Sequence, residues 1–230
     1  MFETLGRMMN ISICAHLRLH FQSNPITAFF PLLQTGFYVE LTAGNLQTLL
    51  SRICDIEYGK VRERIQTIFL NGKPVDDLEA VHAEDGDRLA LSAAMPGLVG
   101  ATMRSGGVLA GFRQSISHRS RQAPSHPHQG FIMIKLFNLL IKEIGPRFLQ
   151  RGILVEADGI GKLLEFILET DPQNCIRVQL DSRVMDIQDL MSVRWPQRPG
   201  LIHLKVDFGP SSEGMGLPQL NSTGESGTPS

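Results

Sequence analysis

Three observations predict an α+β fold made of two copies of one strand-and-helix pattern. Residues 11–21 alternate apolar and polar side chains without a break. Apolar residues at 46, 49, 50 and 53 fall at helical spacing, and the same order of elements recurs beyond a polar stretch at 117–129.

In Ile11-Ser-Ile-Cys-Ala-His-Leu-Arg-Leu-His-Phe21 the odd positions are apolar and the even ones mostly polar. Successive side chains of a strand point to opposite faces, so this run is a long strand with one buried face. Phe37 to Leu41 supplies a second, short strand. Asn45 then offers a side-chain oxygen to cap the helix that Leu46, Leu49, Leu50 and Ile53 define. A third strand, Ile65 to Leu70, meets Asn71-Gly72, two residues that accept positive φ and fit a two-residue hairpin, with Lys73-Pro-Val75 returning beside it. Glu84-Asp-Gly-Asp87 makes a turn before a strand from Arg88 to about Ala93.

The order β, β, α, β, short β, β then repeats. Ile132 to Leu140 is the first strand and Gly152 to Glu156 the second, while Ile160, Leu163, Leu164 and Ile167 mark the helix. Asp171-Pro172 ends that helix, because proline disfavours helical geometry at the residue before it. Ile176 to Leu180, a turn at Asp181-Ser182, and Leu201 to Phe208 complete the series, with Leu180-Asp-Ser-Arg183 aligning with Leu70-Asn-Gly-Lys73. Identity between the halves is low, so the duplication rests on element order. The implied organisation is a domain over 9–116 with a glycine-rich extension, a basic linker over 117–129, a second domain over 130–208 and a tail over 209–230. The tail, rich in Gly, Ser, Pro and Thr, is expected to be disordered, since it has too little apolar surface to offset its ordering entropy.

With 230 residues, 42% of them hydrophobic and 20% charged, and a net charge of −1, the composition is globular and excludes a collagen or a polycation. No apolar run reaches the ~20 residues of a membrane helix; the longest, Phe131 to Ile141, carries Lys135 and Asn138. Met1 to Asn10 lacks the features of a secretory signal, which makes the cytoplasm the expected location. Cys14, Cys54 and Cys175 are odd in number and scattered, and read as small buried hydrophobes, not as a disulfide framework or zinc site.

Phe69-Leu-Asn-Gly-Lys-Pro-Val75 followed by Glu84-Asp-Gly-Asp-Arg-Leu-Ala-Leu91 resembles the C-terminal half of the small ubiquitin-like sulfur carriers, the molybdopterin-synthase small subunit and the thiamine sulfur carrier. Met133-Ile-Lys-Leu-Phe137 and Ile153-Leu-Val-Glu156 resemble their first and second strands. The resemblance implies two β-grasp folds in tandem. It also implies carrier chemistry at a free C-terminal Gly-Gly, and here the sequence departs from the pattern. Ser105-Gly106-Gly107 is followed by further chain, and the second half has no diglycine. A carrier would need cleavage after Gly107, which would also separate the halves.

Two further stretches stand out. Gly97, Gly100, Gly106 and Gly107 occur with Arg104 and Arg113 in a region free of Asp and Glu from Arg88 to Lys142, a composition suited to anion or nucleotide binding through backbone N–H groups and guanidinium forks. The spacing fits neither phosphate-loop fingerprint, and an apolar connector packed through its glycines is the alternative. Arg194 and Trp195 are the candidate partner contact, residue types that supply much of the energy of interfaces; packing of Trp195 over its own sheet edge is the alternative. Cys14, His16 and His20 share one face of the first strand, but i and i+6 are about 20 Å apart along a strand, too far for one zinc ion. His126 and His128 in the linker make no metal motif. The charge balance and the few aromatics disfavour nucleic acid. The expected function is a non-catalytic binding or adaptor protein with a protein partner and no cofactor. The competing expectations are a sulfur carrier or transfer accessory, and an anion-binding protein using residues 96–113.

Overall fold

The computed structural model of the chain describes residues 12–93, 130–193 and 200–209. The alternating run forms β1 (Ile13–Phe21), with Ala15, Leu17, Leu19 and Phe21 buried and the even positions facing away from the core. A 3-10 turn and a short helix, α1 (Phe30–Thr35), lead to β2 (Phe37–Glu40). Asn45 caps α2 (Leu46–Cys54), its Oδ1 accepting from the Thr48 backbone N–H at 2.9 Å. A single turn, α3 (Val61–Arg64), precedes β3 (Thr67–Leu70). Asn71 and Gly72 take positive φ, 51° and 78°, and return the chain as β4 (Lys73–Pro74). β5 (Arg88–Ser92) closes this half.

The second half begins with β6 (Phe131–Phe137), which ends earlier than its apolar pattern suggests because the chain turns at Asn138 into α4 (Leu139–Arg151). β7 (Ile153–Glu156), α5 (Ala157–Thr170), β8 (Cys175–Leu180), β9 (Arg183–Met185), α6 (Ile187–Met191) and β10 (Leu201–Phe208) follow. Each half therefore inserts a helix between its first and second strands, an element the sequence pattern did not announce. In α4 the reason is local, since Gly145-Pro146 in mid-helix reads as a break. Gly145 is there for packing: a Cβ would lie 2.9 Å from Leu33 Cδ1 and 3.0 Å from Ile26 Cδ1, so glycine lets α4 approach α1.

The ten strands of the described residues join one mixed sheet in the order β4-β3-β5-β6-β2-β7-β10-β1-β8-β9. Read inward from either edge, a hairpin (β4 and β3, or β9 and β8) is followed by a parallel pair and then by the second strand of a half. Each parallel pair takes one strand from each half: β5 lies beside β6, and β10 beside β1. The boundary at 117–129 divides the sequence, and the sheet runs across it. Helical connections make this exchange possible, because they carry β1 past β10 and β7 to reach β2, and β6 past β2 to reach β7.

The helices contact one another in a single layer, α2 against α4, α1 against α4 and α5, and α5 against α6. Beneath them one continuous core takes in Leu19, Phe37, Leu50, Ile68, Leu91, Ile134, Phe148, Leu164 and Val206 from both halves. Polar contacts reinforce the junction of α2 and α4. Arg147 donates to the Asp55 carbonyl at 3.0 Å, and Arg151 to the Arg52 and Ile53 carbonyls at 3.2 and 3.1 Å. Cations of the second half thus satisfy the last carbonyls of a first-half helix. No described helix is long and apolar enough to cross a membrane.

Candidate functional site

The residues singled out by sequence, Gly97, Gly100, Arg104, Gly106, Gly107, Arg113, Arg194 and Trp195, lie outside the described residues, as do His126 and His128. Among those described, two places gather chemistry: the polar face of β1, β10 and β8, and a pocket where β2 and β7 meet.

On the first, parallel pairing sets His16 beside His203, Arg18 beside Lys205 and His20 beside Asp207. On the other side of β1, Arg18 faces Gln179 and His20 faces Arg177. Alternation puts all of these on one side of the sheet, away from the helices. Arg18 Nε donates to Asp207 Oδ2 at 2.5 Å, and His20 Nε2 lies 3.7 Å from the same oxygen. His16 and His203 meet edge to face, their Nδ1 atoms 3.3 Å apart. One Nδ1 must donate while the other accepts, so a proton added to the acceptor breaks the bond. Burial first, then the His16 and Lys205 charges, hold the His203 pKa below its ordinary value.

Cys14, His16 and His20 share the face the alternation predicts. Among the described residues no three His, Cys, Asp or Glu side chains are grouped to hold a metal ion. The cysteines are free thiols. Of the three, Cys54 is the buried one, while Cys14 and Cys175 are half-buried, because each sits where the sheet face or end meets water. Burial pushes the Cys54 thiol up to about 12 and the Cys175 thiol to about 11, so neither is a thiolate near neutrality.

The second place is the seam between the halves. β2 and β7 share one bridged pair, Tyr38 and Leu154; continuing that antiparallel register puts Gly36 opposite Glu156, where the strands part. A pocket of about 290 Å³ opens there between α1 and α5. The Tyr38 hydroxyl donates to Glu156 Oε1 across the seam at 3.2 Å. Burial, followed by the Glu156 charge, raises the Tyr38 pKa, so the hydroxyl stays a donor.

Sequence reasoning missed His203, Lys205 and Asp207, although Leu201 to Phe208 alternates as plainly as β1 and signals the same two-faced strand. It also missed Tyr38, Glu156 and Lys162: Glu156 and Lys162 follow one another in β7 and α5, and Tyr38 of β2 reaches Glu156 where the two halves abut. Compared with family models, curated proteins and solved structures, the chain matches none.

Proposed function

We propose that the chain is a non-catalytic adaptor built on two β-grasp-like repeats, and that it docks an acidic segment of a protein partner on the polar face of β1, β10 and β8. The β-grasp reading is supported by the first five strands of the sheet, β4-β3-β5-β6-β2, which have a parallel pair at their centre and α2 linking β2 to β3; the other five repeat this in outline. The observation that carries the docking reading is the side-chain register of that face. Arg18, Lys205, Arg177, His16, His20 and His203 occupy neighbouring positions, with Asp207 among them. A ladder of cationic and imidazole groups matches carboxylates spaced along an extended segment, and its field speeds encounter.

The test is a titration of a fluorescent ten-residue glutamate peptide against the full chain at low salt. Arg177→Glu with Lys205→Glu should weaken binding at least tenfold, and added salt should weaken it further. Lys73→Glu, on the opposite edge strand, should leave it unchanged. A peptide that does not bind, or binds the double variant equally well, overturns the reading. Tighter binding of a single-stranded oligothymidylate than of the peptide would assign the face to nucleic acid instead.

A further inference from the structure

The seam pocket is lined by groups that suit a different kind of ligand. Its walls are apolar: Pro31 and Leu32 from α1, Met133 from β6, and Leu163 and Phe166 from α5. Phe166 is 40% exposed, a large ring left facing the opening. Glu156 and Asp158 stand at the polar end with Lys162, and no ion pair joins Asp158 to Lys162 one turn further along the helix. Glu156 is oriented by the Tyr38 hydroxyl. Gly36, at φ 128°, has no Cβ to crowd this end; one would lie 2.9 Å from Met133 Sδ. The volume, about 290 Å³, has room for a single aromatic ring with a short chain.

Two carboxylates against one ammonium leave the polar end net negative, beside a hydrocarbon wall. From this geometry we infer that the seam pocket binds a small amphipathic amine, its ammonium between Glu156 and Asp158 and its apolar body against Leu32, Leu163, Phe166 and Met133. The carboxylates, Leu163 and Phe166 come from β7 and α5, while Pro31, Leu32 and Gly36 come from α1 and the turn into β2, so the site is complete only when β2 and β7 are neighbours. An amine bound there touches both halves. The inference does not depend on the acidic-partner reading, which uses a different part of the sheet.

Calorimetry and ligand-observed NMR with the full chain test it, using three probes with the same ring: 2-phenylethylamine, phenylalanine and 3-phenylpropanoate. The amine is expected to bind saturably with a dissociation constant of about 1 mM or tighter, and 3-phenylpropanoate at least tenfold more weakly. Glu156→Gln with Asp158→Asn should weaken the amine at least tenfold, while the cooperative urea transition of the variant, followed by circular dichroism, shows that it is folded. Phenylalanine binding more tightly than the amine would overturn the assignment in favour of a zwitterion that uses Lys162. No saturable amine binding at about 10 mM, equal binding of the acid, or an unchanged double variant would also overturn it.

Discussion

β1 and β10 lie side by side from Ile13 and Leu201 to Phe21 and Phe208, whereas β2 and β7, which meet in the middle of the sheet, share the single pair Tyr38 and Leu154. The halves are therefore joined least where they abut and most where they have traded strands. β1 is held between β10 and β8, both from the other half, and β6 between β5 and β2. Cohesion in this molecule comes from exchange.

The largest effect should follow removal of a traded strand. Deleting residues 1–22 takes away the strand between β8 and β10 and exposes their apolar sides, so the cooperative urea transition seen by circular dichroism should disappear. A sharp transition in the shortened chain would show that the second half stands alone. A protease site inserted after Gly107 probes the same point more gently. The cut fragments should co-elute in gel filtration and part only in denaturant, since each still supplies a strand to the other; fragments that separate in buffer would contradict the exchange. This bears on carrier chemistry, because a first half ending at Gly107 would remain clasped by the second.

Single substitutions should rank in the same way. Leu19, fully buried in β1, should cost about 3 kcal/mol as Leu19→Ala, read from urea midpoints. Asn45→Ala removes the cap of α2 and should cost about 1 kcal/mol. At the seam, Tyr38→Phe should cost under about 1 kcal/mol, since it removes one hydrogen bond from a half-buried hydroxyl to an exposed carboxylate. A Tyr38 effect equal to that of Leu19 would place cohesion at the seam after all.

The smallest effect is that of pH. Folded His203 takes up a proton less readily than the unfolded chain does, because burial and then His16 and Lys205 oppose the charge. As pH falls below the ordinary histidine value of about 6.5, the unfolded state binds more protons, so stability drops until the lower folded-state value is passed. The urea midpoint should be lower at a pH of about 5.5 than at about 7.5, and His203→Gln should narrow that difference. An unchanged difference would remove His203 from the account.

Local physics made much of the fold legible. The alternation of β1, the Asn45 cap, the Asn71-Gly72 turn and the stop at Asp171-Pro172 each act within a few residues, and the structure contains each of them. Alternation tells which face of a strand is buried but not which strand lies beside it, so the exchange left no mark in the sequence. α1 has six residues, too few to establish a period, and α4 was concealed by Gly145-Pro146. Both gathering places depend on non-local pairing: His16 and His203 are 187 positions apart, and Tyr38 and Glu156 are 118 apart. Conspicuous composition drew attention to the glycines and arginines of 97–113, while the residues that the sheet brings together are individually ordinary.

The placement of β1 also sets the order in which the protein can be made. Among the described strands β1 is translated first and β10 last, yet they are neighbours. At about 5–20 residues per second, the 187 positions from His16 to His203 correspond to roughly 10–40 s of synthesis. Until β8 emerges, late in that interval, β1 has no native strand beside it, and a partner strand from another nascent chain can take the place reserved for β8 and β10. Closure must then wait on contacts of long sequence separation, which are slow to form. A nascent chain of this design depends on whatever shields Leu17, Leu19 and Phe21 until β8 and β10 emerge.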